Sequence, residues 1–131
     1  MKYLLDTDTC IYIINERPKR VLDRFRKHAV GNLGISSITA SELAFGVAKS
    51  GSAKNRAALE GFMLPLEVAQ YDLGAALAYG NVRADLERRG MTIGPLDMLI
   101  AAHALRLGAT LVTNNEKEFR RVPGLRCENW A

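Results

Sequence analysis

The stretch YLLDTDTCIYII, residues 3–14, begins as an apolar strand and ends that strand on two carboxylates, Asp6 and Asp8. A short, uniformly apolar strand is typical of a parallel sheet that is buried on both faces. Two carboxylates one residue apart repel each other and cost free energy to desolvate, so a cation or solvent must stabilise them. The stretch therefore predicts a buried first strand, followed by either an acidic site or a helix cap.

The rest of the chain alternates predicted strands with predicted helices. Further short strands are expected near residues 33–37, in LEVA (66–69), in TLVT (110–113) and in LRCENW (125–130). Asp72 is positioned to cap a helix that ends at Gly90, and Gly108 is positioned to end a later one. This alternation predicts a single α/β domain over residues 1–131, with a small, mostly parallel β-sheet flanked by α-helices.

Composition limits the class of protein. The 131 residues are 48% hydrophobic and 24% charged, which is typical of a globular domain. The net charge of +4 suits an anionic partner without requiring one. Cys10 and Cys127 are too few for a disulfide scaffold and lack metal-ligand spacing, so two reduced thiols are expected. The chain shows neither a cleavable leader nor a membrane-spanning run, and a cytoplasmic protein is expected.

Four polar residues are predicted to follow strands or to start helices. Asp6 ends the first strand, Glu42 follows the second by a few residues, Asp97 lies in the first turn of a late helix, and Asn115 follows TLVT. Parallel α/β sheets place functional groups at the carboxyl ends of their strands. We therefore expect these four side chains to converge on one edge of the sheet.

Each acid also has a purely structural alternative. Thr39 and Glu42 have the spacing of a capping box, in a helix that starts at about Thr39. Asp97 would be stabilised by the dipole of its helix without any metal. Asp8, or a threonine beside it, could cap the first helix. Asp6 is harder to explain in this way, because a carboxylate directly after an apolar strand is badly placed for a surface charge.

Carboxylates that cluster without a basic partner favour a hard divalent cation such as Mg²⁺, which binds a few carboxylates together with waters. Such a metal can activate water and neutralise charge on a phosphodiester. The sequence contains none of the motifs GxSxG, HExxH, GxxxxGK[ST] or GxGxxG. Neither His28 nor His103 has an evident partner for nucleophilic catalysis, and His103 is expected to be packed or solvated.

Four segments together resemble the PIN-domain family, and more narrowly the VapC toxins, which are the ribonucleases of bacterial type II toxin–antitoxin pairs. The segments are YLLDTDTCIYII, ISSITASELAFGVAKS (35–50), GPLDMLIAAHALRLGATLVTNNEKEF (94–119) and RVPGLRCENW (121–130). The resemblance covers essentially the whole chain in order and spacing. It implies a small parallel sheet flanked by helices, with an acidic pocket for magnesium or manganese.

The resemblance also implies site residues. The family's strand-one aspartate corresponds to Asp6, its helix-start glutamate to Glu42, its late-helix aspartate to Asp97 and its late threonine to Thr113. Many PIN domains carry a fourth acid after that threonine, where this chain has Asn115. Either Glu116 or Glu118 could replace that acid, and the binding of a second metal is in question.

The implied activity is metal-dependent hydrolysis of RNA, with tRNA anticodon loops as an associated substrate. Asp6 and Asp97 would hold Mg²⁺, and Glu42 would orient or deprotonate the attacking water. A basic helix could bind the RNA backbone or could simply be a solvated face. Its basic residues are Arg17, Lys19, Arg20, Arg24, Arg26 and Lys27.

The resemblance further implies two protein partners. A cognate VapB-like antitoxin would wrap its C-terminal segment around the toxin, block the acidic pocket and order on binding. A toxin homodimer within the toxin–antitoxin hetero-oligomer is also implied. Apolar residues of the stretch 75–79 could contribute to that homodimer or to the core.

Two rival functions remain open from the sequence. A haloacid dehalogenase-type phosphatase would use Asp6 as nucleophile and Asp8 as general acid. That class usually has Thr or Val where Cys10 stands, and it has a late aspartate pair that this chain lacks after Asp97. The other rival is an inactive RNA-binding PIN module, which Asn115 keeps open because it adds no negative charge.

Overall fold

The computed structural model describes residues 1–131 and contains one five-stranded, all-parallel sheet. Its strands are β1 (Tyr3–Leu5), β2 (Leu33–Ser36), β3 (Glu67–Ala69), β4 (Thr110–Val112) and β5 (Cys127–Glu128). Their order across the sheet is β3-β2-β1-β4-β5, so the first strand of the chain is central. Because all strands are parallel, their carboxyl ends lie along one edge. The α/β fold class predicted from the sequence is confirmed.

Seven helices connect and flank the strands. They are α1 (Thr7–Ile14), α2 (Lys19–Arg26), α3 (Ser37–Ser50), α4 (Ala53–Met63), α5 (Leu73–Arg88), α6 (Pro95–Leu107) and α7 (Glu116–Phe119). A 3₁₀ turn spans Val30–Asn32. None of the helices is long and apolar enough to cross a membrane.

The sheet separates two apolar clusters because successive strand residues point to opposite faces. Leu4 and Leu111 lie in a cluster with residues of α5 and α6, such as Leu86 and Ile100. The second cluster is formed by the other strand face and by α1, α2, α3 and α4; its buried members include Tyr3, Leu5, Ile35, Val112, Ile13, Val21, Leu43 and Leu59. Helices thus cover both faces of the sheet, and the rim formed by the carboxyl ends of its strands remains available for polar groups.

The C-terminal end of the chain is packed against α2. Trp130 is almost fully buried and stacks on His28, with ring centroids 5.0 Å apart and planes within 8°. The guanidinium of Arg24 lies over the Trp130 ring and forms an ion pair with Glu128 of β5 at 3.3 Å. These contacts hold α2 beside β5, the outermost strand on this side of the sheet.

Helix ends agree with the sequence at several positions. The Asp72 carboxylate accepts a hydrogen bond from the backbone N–H of Ala75 at 2.8 Å, as a cap of α5. Gly90 and Gly108 have φ near +64°, a conformation that glycine adopts without strain after a helix. Both cysteines are free thiols, as expected from the sequence.

Two predicted caps are wrong. Helix α1 is capped by Asp6 itself, whose carboxylate accepts from the backbone N–H of Thr9 at 2.9 Å, and Asp8 and its neighbouring threonines do not fill that position. Helix α3 begins at Ser37, with Ser36 as its cap, two residues before the expected start at Thr39. Ser36 both ends β2 and caps α3, and Asp6 is the single residue between β1 and α1, so no loop separates strand from helix in either case.

Candidate active site

Asp6 is the most buried acid of the chain, with 5% of its surface exposed. It follows the central strand directly, and its carboxylate accepts hydrogen bonds from Thr9 and from the Thr113 hydroxyl. Burial raises the pKa of Asp6 above its ordinary value, and these hydrogen bonds only partly offset the effect. The ionised carboxylate at this position would therefore be stabilised by a cation.

Glu42 reaches the same edge of the sheet from α3. Its Oε1 atom accepts a hydrogen bond from the Thr7 hydroxyl at 2.6 Å, which ties α3 to the start of α1. The capping-box alternative for Glu42 is wrong because Ser36, and not Thr39, caps the helix. Its second carboxylate oxygen takes part in no hydrogen bond within the chain. Glu42 is thus fixed through one oxygen, and the other is available for a ligand.

Asp97 lies in the first turn of α6 and is half-buried. Burial, followed by repulsion from Glu118, Asp6, Glu42 and Asp8, raises the pKa of Asp97 to about 6. Other negative charges raise the pKa of a carboxyl group appreciably only when they are close to it. Glu118, Asp6 and Glu42 therefore lie close enough to Asp97 to raise its pKa.

Asn115 occupies the position where a fourth acid was expected. Its backbone N–H donates to the Thr113 hydroxyl at 2.9 Å, and its side-chain amide donates to Glu118 Oε2 at 3.0 Å. Of the two candidate substitutes, Glu118 acts electrostatically on Asp97, whereas Glu116 forms an ion pair with Arg120 at 3.1 Å. Glu118 is thus the candidate for a fourth acid that interacts with both Asn115 and Asp97.

The remaining polar candidates lie at the margin of this acidic pocket or away from it. Asp8 is exposed on α1. His103 is buried, with its Nδ1 atom 2.8 Å from the Ser36 hydroxyl, and burial lowers its pKa. His28 is stacked on Trp130. Both histidines are packed, as the sequence analysis expected for His103.

The acidic pocket contains no basic partner. The five ion pairs of the chain involve none of Asp6, Asp8, Glu42, Asp97 or Glu118. As the side chains stand, no three acids are arranged to surround a single ion by themselves. Mg²⁺ does not require such a cage, because it keeps several waters and binds one or two carboxylates. A donor set of unpaired, mutually repelling carboxylates therefore fits a hydrated divalent cation.

An apolar groove opens directly beside the pocket. Glu42 lines one part of it, and the other lining residues include Ile11 and Ile14 of α1, Leu43 and Val47 of α3, and Leu59 of α4. The groove is thus apolar along most of its length and acidic at one point. This combination can bind an apolar peptide segment that also carries a positive charge.

Some of these contacts had no signal in the sequence. The hydrogen bond between Thr7 and Glu42 joins residues 35 positions apart, and no local pattern predicts it. Glu118 was one of two open alternatives, since the direction of its side chain depends on where the four-residue helix α7 begins. The period of the buried residues Phe119 and Val122 would have favoured Glu116, three positions before Phe119, so no local signal pointed to Glu118.

The sequence of this chain is similar to that of known proteins along nearly its whole length. A family model described as the PIN domain matches residues 3–125. The curated "tRNA(fMet)-specific endonuclease VapC" of Salmonella typhimurium is 45% identical over 132 residues, which covers 100% of this chain and 99% of that protein. The "Ribonuclease VapC2" of Rickettsia felis is 43% identical and covers 99% and 98% of the two chains.

Solved structures give the same result. The crystal structure of DNA-bound VapBC from Salmonella typhimurium contains a chain that is 44% identical, with a TM-score of 0.92 over 100% of this chain and 99% of that one. VapBC2 from Rickettsia felis, bound to a DNA fragment from its promoter, matches with 40% identity and a TM-score of 0.89 over all of both chains. These similarities extend from one end of the chain to the other.

Proposed function

The chain belongs to the PIN-domain family and, within it, to the VapC ribonucleases, and from this premise we propose that it cleaves RNA at the acidic pocket as a single domain. The single observation that carries the assignment to this pocket is Asp97. Burial and the nearby carboxylates of Glu118, Asp6 and Glu42 raise its pKa to about 6, and no base forms an ion pair with these acids. Such an arrangement is unfavourable unless a cation is part of the function.

Divalent-metal dependence is general among PIN-domain ribonucleases, and the donor set of this pocket fits Mg²⁺, with Mn²⁺ as an alternative. Asp6 and Asp97 are the proposed ligands, directly or through water. When bound, such an ion lowers the pKa of a coordinated water and neutralises charge on a phosphodiester. The Thr113 hydroxyl holds the Asp6 carboxylate in place.

Glu42 is the proposed group that orients the attacking water and accepts its proton. The Thr7 hydroxyl occupies one of its carboxylate oxygens at 2.6 Å, which leaves the other free to act as a base. Glu118 is proposed as the fourth acid, and Asn115 as the residue that positions it. Asn115 therefore acts through a neighbouring carboxylate in this proposal.

The proposed substrate is tRNA, because the Salmonella relative carries the name of a tRNA(fMet)-specific endonuclease. One exposed face of α2 carries Arg20 and Arg24, four residues apart, and the exposed Arg17 and Lys27 flank the two ends of the helix. Phosphate contacts from such cations supply affinity that does not depend on sequence. Since cellular tRNA is the substrate, the proposed site of action is the cytoplasm.

The test is cleavage of purified tRNA by the purified chain. We expect cleavage with Mg²⁺ or Mn²⁺, loss of cleavage with EDTA, and recovery when the metal is restored in excess. Sequencing of the fragment ends would identify the cleaved tRNA and the position of the cut. Cleavage that continues undiminished in EDTA would contradict the proposed mechanism.

The two rival functions receive no support from the relatives, which are ribonucleases over their full length. The phosphatase would need Asp8 beside Asp6 as a general acid, yet Asp8 is exposed and Asp6 is buried. The inactive module rested on Asn115, but Glu118 restores an acid beside Asp97. Both observations favour the nuclease.

The partner is a VapB-type antitoxin, as in the VapBC structures that this chain resembles. We assign its inhibitory segment to the apolar groove between α1, α3 and α4, because the groove leads to Glu42. Apolar side chains of the segment would fill the groove, and an arginine or lysine would reach the carboxylates in place of a metal. The segment would thus exclude substrate from the pocket.

Substitution of Gly46 by phenylalanine separates inhibition from catalysis. Gly46 lines the groove, and a Cβ at this position meets no atom within 4 Å, so the larger side chain fits the fold but occupies the groove. We expect G46F to cleave RNA as wild type does. We expect the antitoxin to inhibit G46F at least about tenfold less strongly than wild type, because an added side chain at a well-packed interface prevents close contact. Inhibition is measured by titrating the antitoxin into the cleavage assay.

The matched control is Gly61→Phe. Gly61 lies in α4, also with open space around its Cβ, but it does not line the groove. G61F should be inhibited as strongly as wild type. Equal inhibition of G46F and G61F would show that the segment binds elsewhere.

A homodimer is the remaining proposed partner. Within the stretch 75–79, Ala75 is fully buried and Tyr79 packs on the core, so Leu77, with 66% of its surface exposed, is the large apolar side chain that is free to contribute. Leu73, one turn before it, is 74% exposed. Two exposed leucines on one helix face support self-association through α5.

A further inference from the structure

A half-buried tyrosine, Tyr12, lies across α1 from the apolar groove. It follows Asp8 by one helical turn, so these two side chains share one face of α1. Thr7 and Ile11 share another face, which contacts Glu42 and the groove. Beside the acidic pocket, one side of α1 therefore borders the apolar groove, and another side carries Tyr12.

Tyr12 is fixed beside the pocket by a long-range hydrogen bond. Its hydroxyl accepts from the side-chain amide of Asn114 at 2.5 Å, across 102 positions of sequence. Asn114 directly follows Thr113, the residue whose hydroxyl is bonded to Asp6. This series of contacts leads from the buried carboxylate to the tyrosine ring.

Both residues keep unused binding capacity. The side-chain carbonyl of Asn114 and the hydroxyl hydrogen of Tyr12 take part in no other hydrogen bond of the structure. The Tyr12 ring packs in part on the second apolar cluster and is half-buried, and unlike Tyr3, which contacts His28 and Trp130, it pairs with no other aromatic ring. An aromatic ring together with an amide and a hydroxyl at its edge is the equipment that binds an unpaired nucleobase.

The cationic face of α2 lies on the same side as Tyr12. Arg24 reaches Glu128 of β5 at 3.3 Å, and β5 pairs with β4, the strand that leads into Asn114. Arg20 precedes Arg24 by one turn on the same exposed face. A strand of RNA bound along these cations would lie beside β5, the neighbour of the strand that leads into Asn114 and its partner Tyr12.

We infer that Tyr12 and Asn114 form a nucleobase subsite, in which the ring stacks on the base beside the cleaved phosphodiester and the two polar groups contact the edge of that base. The inference rests on the proposed ribonuclease function and extends it to substrate selection. Base stacking on a protein aromatic ring contributes roughly ten- to a hundredfold in affinity per base, with little dependence on the base. The edge contacts would add a preference among bases.

The test measures binding and cleavage of a synthetic stem–loop RNA that carries the loop sequence of a cleaved tRNA. Binding is measured by fluorescence anisotropy in the inactive Asp6→Asn background, and cleavage in the otherwise unchanged chain. We expect Tyr12→Leu to weaken binding about tenfold and to raise KM more than it lowers kcat. Tyr12→Phe, which keeps the ring, should retain most of the affinity.

A set of RNAs that each lack one base identifies the contact. For the RNA whose missing base is the stacked one, Tyr12→Leu should cause no further loss, while for the other RNAs the full loss should remain. The matched control is Tyr79→Leu, since Tyr79 is also half-buried and its hydroxyl also contacts an exposed side chain, Arg83. Thermal melting of each variant establishes that it is folded.

Two outcomes would overturn the inference: equal effects of Tyr12→Leu and Tyr79→Leu on binding, or an effect of Tyr12→Leu that is the same for every abasic RNA. Failure of the proposed function gives a different result. If the unchanged chain binds the stem–loop but does not cleave it, the ribonuclease assignment fails, whereas the coupling between Tyr12 and one base is still measured by anisotropy.

Discussion

Replacement of Asp6 by asparagine should abolish RNA cleavage without unfolding the protein. Asparagine caps helices as well as aspartate does, so its carbonyl can still accept from the Thr9 N–H and hold the start of α1. The substitution removes only the charge of a buried carboxylate that is proposed to bind the metal. Because such an ion supplies several kcal/mol of transition-state stabilisation, we expect cleavage to fall about a thousandfold or more.

The measurement is the initial rate of tRNA cleavage in Mg²⁺, with circular dichroism and thermal melting as evidence of folding. Glu60→Gln is the control, since Glu60 is an exposed acid on α4 without an ion-pair partner. It should cleave at the wild-type rate. A folded Asp6→Asn variant that also cleaves at this rate would remove Asp6 from the mechanism.

Replacement of Asp97 by asparagine should abolish cleavage and, in the absence of metal, stabilise the protein. The pKa of Asp97 is about 6 in the folded protein, against an ordinary value of 3.8. The folded state therefore holds a proton that the unfolded state releases between about pH 4 and pH 6, so stability falls as the pH rises through this range. Because an asparagine side chain does not ionise, the variant does not lose stability in this way as the pH rises.

The comparison is made by thermal melting of both proteins in EDTA at pH 4 and pH 7.5. At pH 7.5 we expect the variant to melt a few degrees higher than wild type, because it lacks a charge that is disfavoured by burial and by repulsion from Glu118, Asp6 and Glu42. At pH 4 the difference should be small or reversed. Mg²⁺ should then raise the melting temperature of wild type more than that of the variant.

A variant that melts lower than wild type at pH 7.5 in EDTA would contradict the proposed repulsion. It would mean that the favourable position of Asp97 in the first turn of α6 outweighs its burial among like charges. The pH comparison within each protein serves as the control, since packing defects do not depend on the charge of this carboxylate.

Much of the fold could be predicted because its signals are local. Short apolar runs such as Tyr3–Leu5 and Thr110–Val112 alternate with helical segments, and this pattern determines a parallel α/β sheet. The convergence of Asp6, Glu42 and Asp97 followed from a general property of such sheets, in which the carboxyl ends of the strands meet at one edge.

What could not be predicted depends on side-chain direction or on contacts between distant segments. The capping-box interpretation of Glu42 failed because Ser36 and Thr39 are both acceptable caps, and only the immediate transition from β2 to α3 selects Ser36. The choice of Glu118 over Glu116 depends on one turn of helix. The contact between Tyr12 and Asn114 joins two ends of the chain and has no local signature.

The central position of β1 also determines when activity can arise during translation. One of its two neighbours in the sheet, β4, is synthesised near the end of the chain, and the Thr9 hydroxyl donates to the Val112 carbonyl of that strand across 103 positions. Asp97, Thr113 and Glu118 all belong to the last third of the polypeptide. A nascent chain on the ribosome therefore lacks the assembled acidic pocket until synthesis is almost complete.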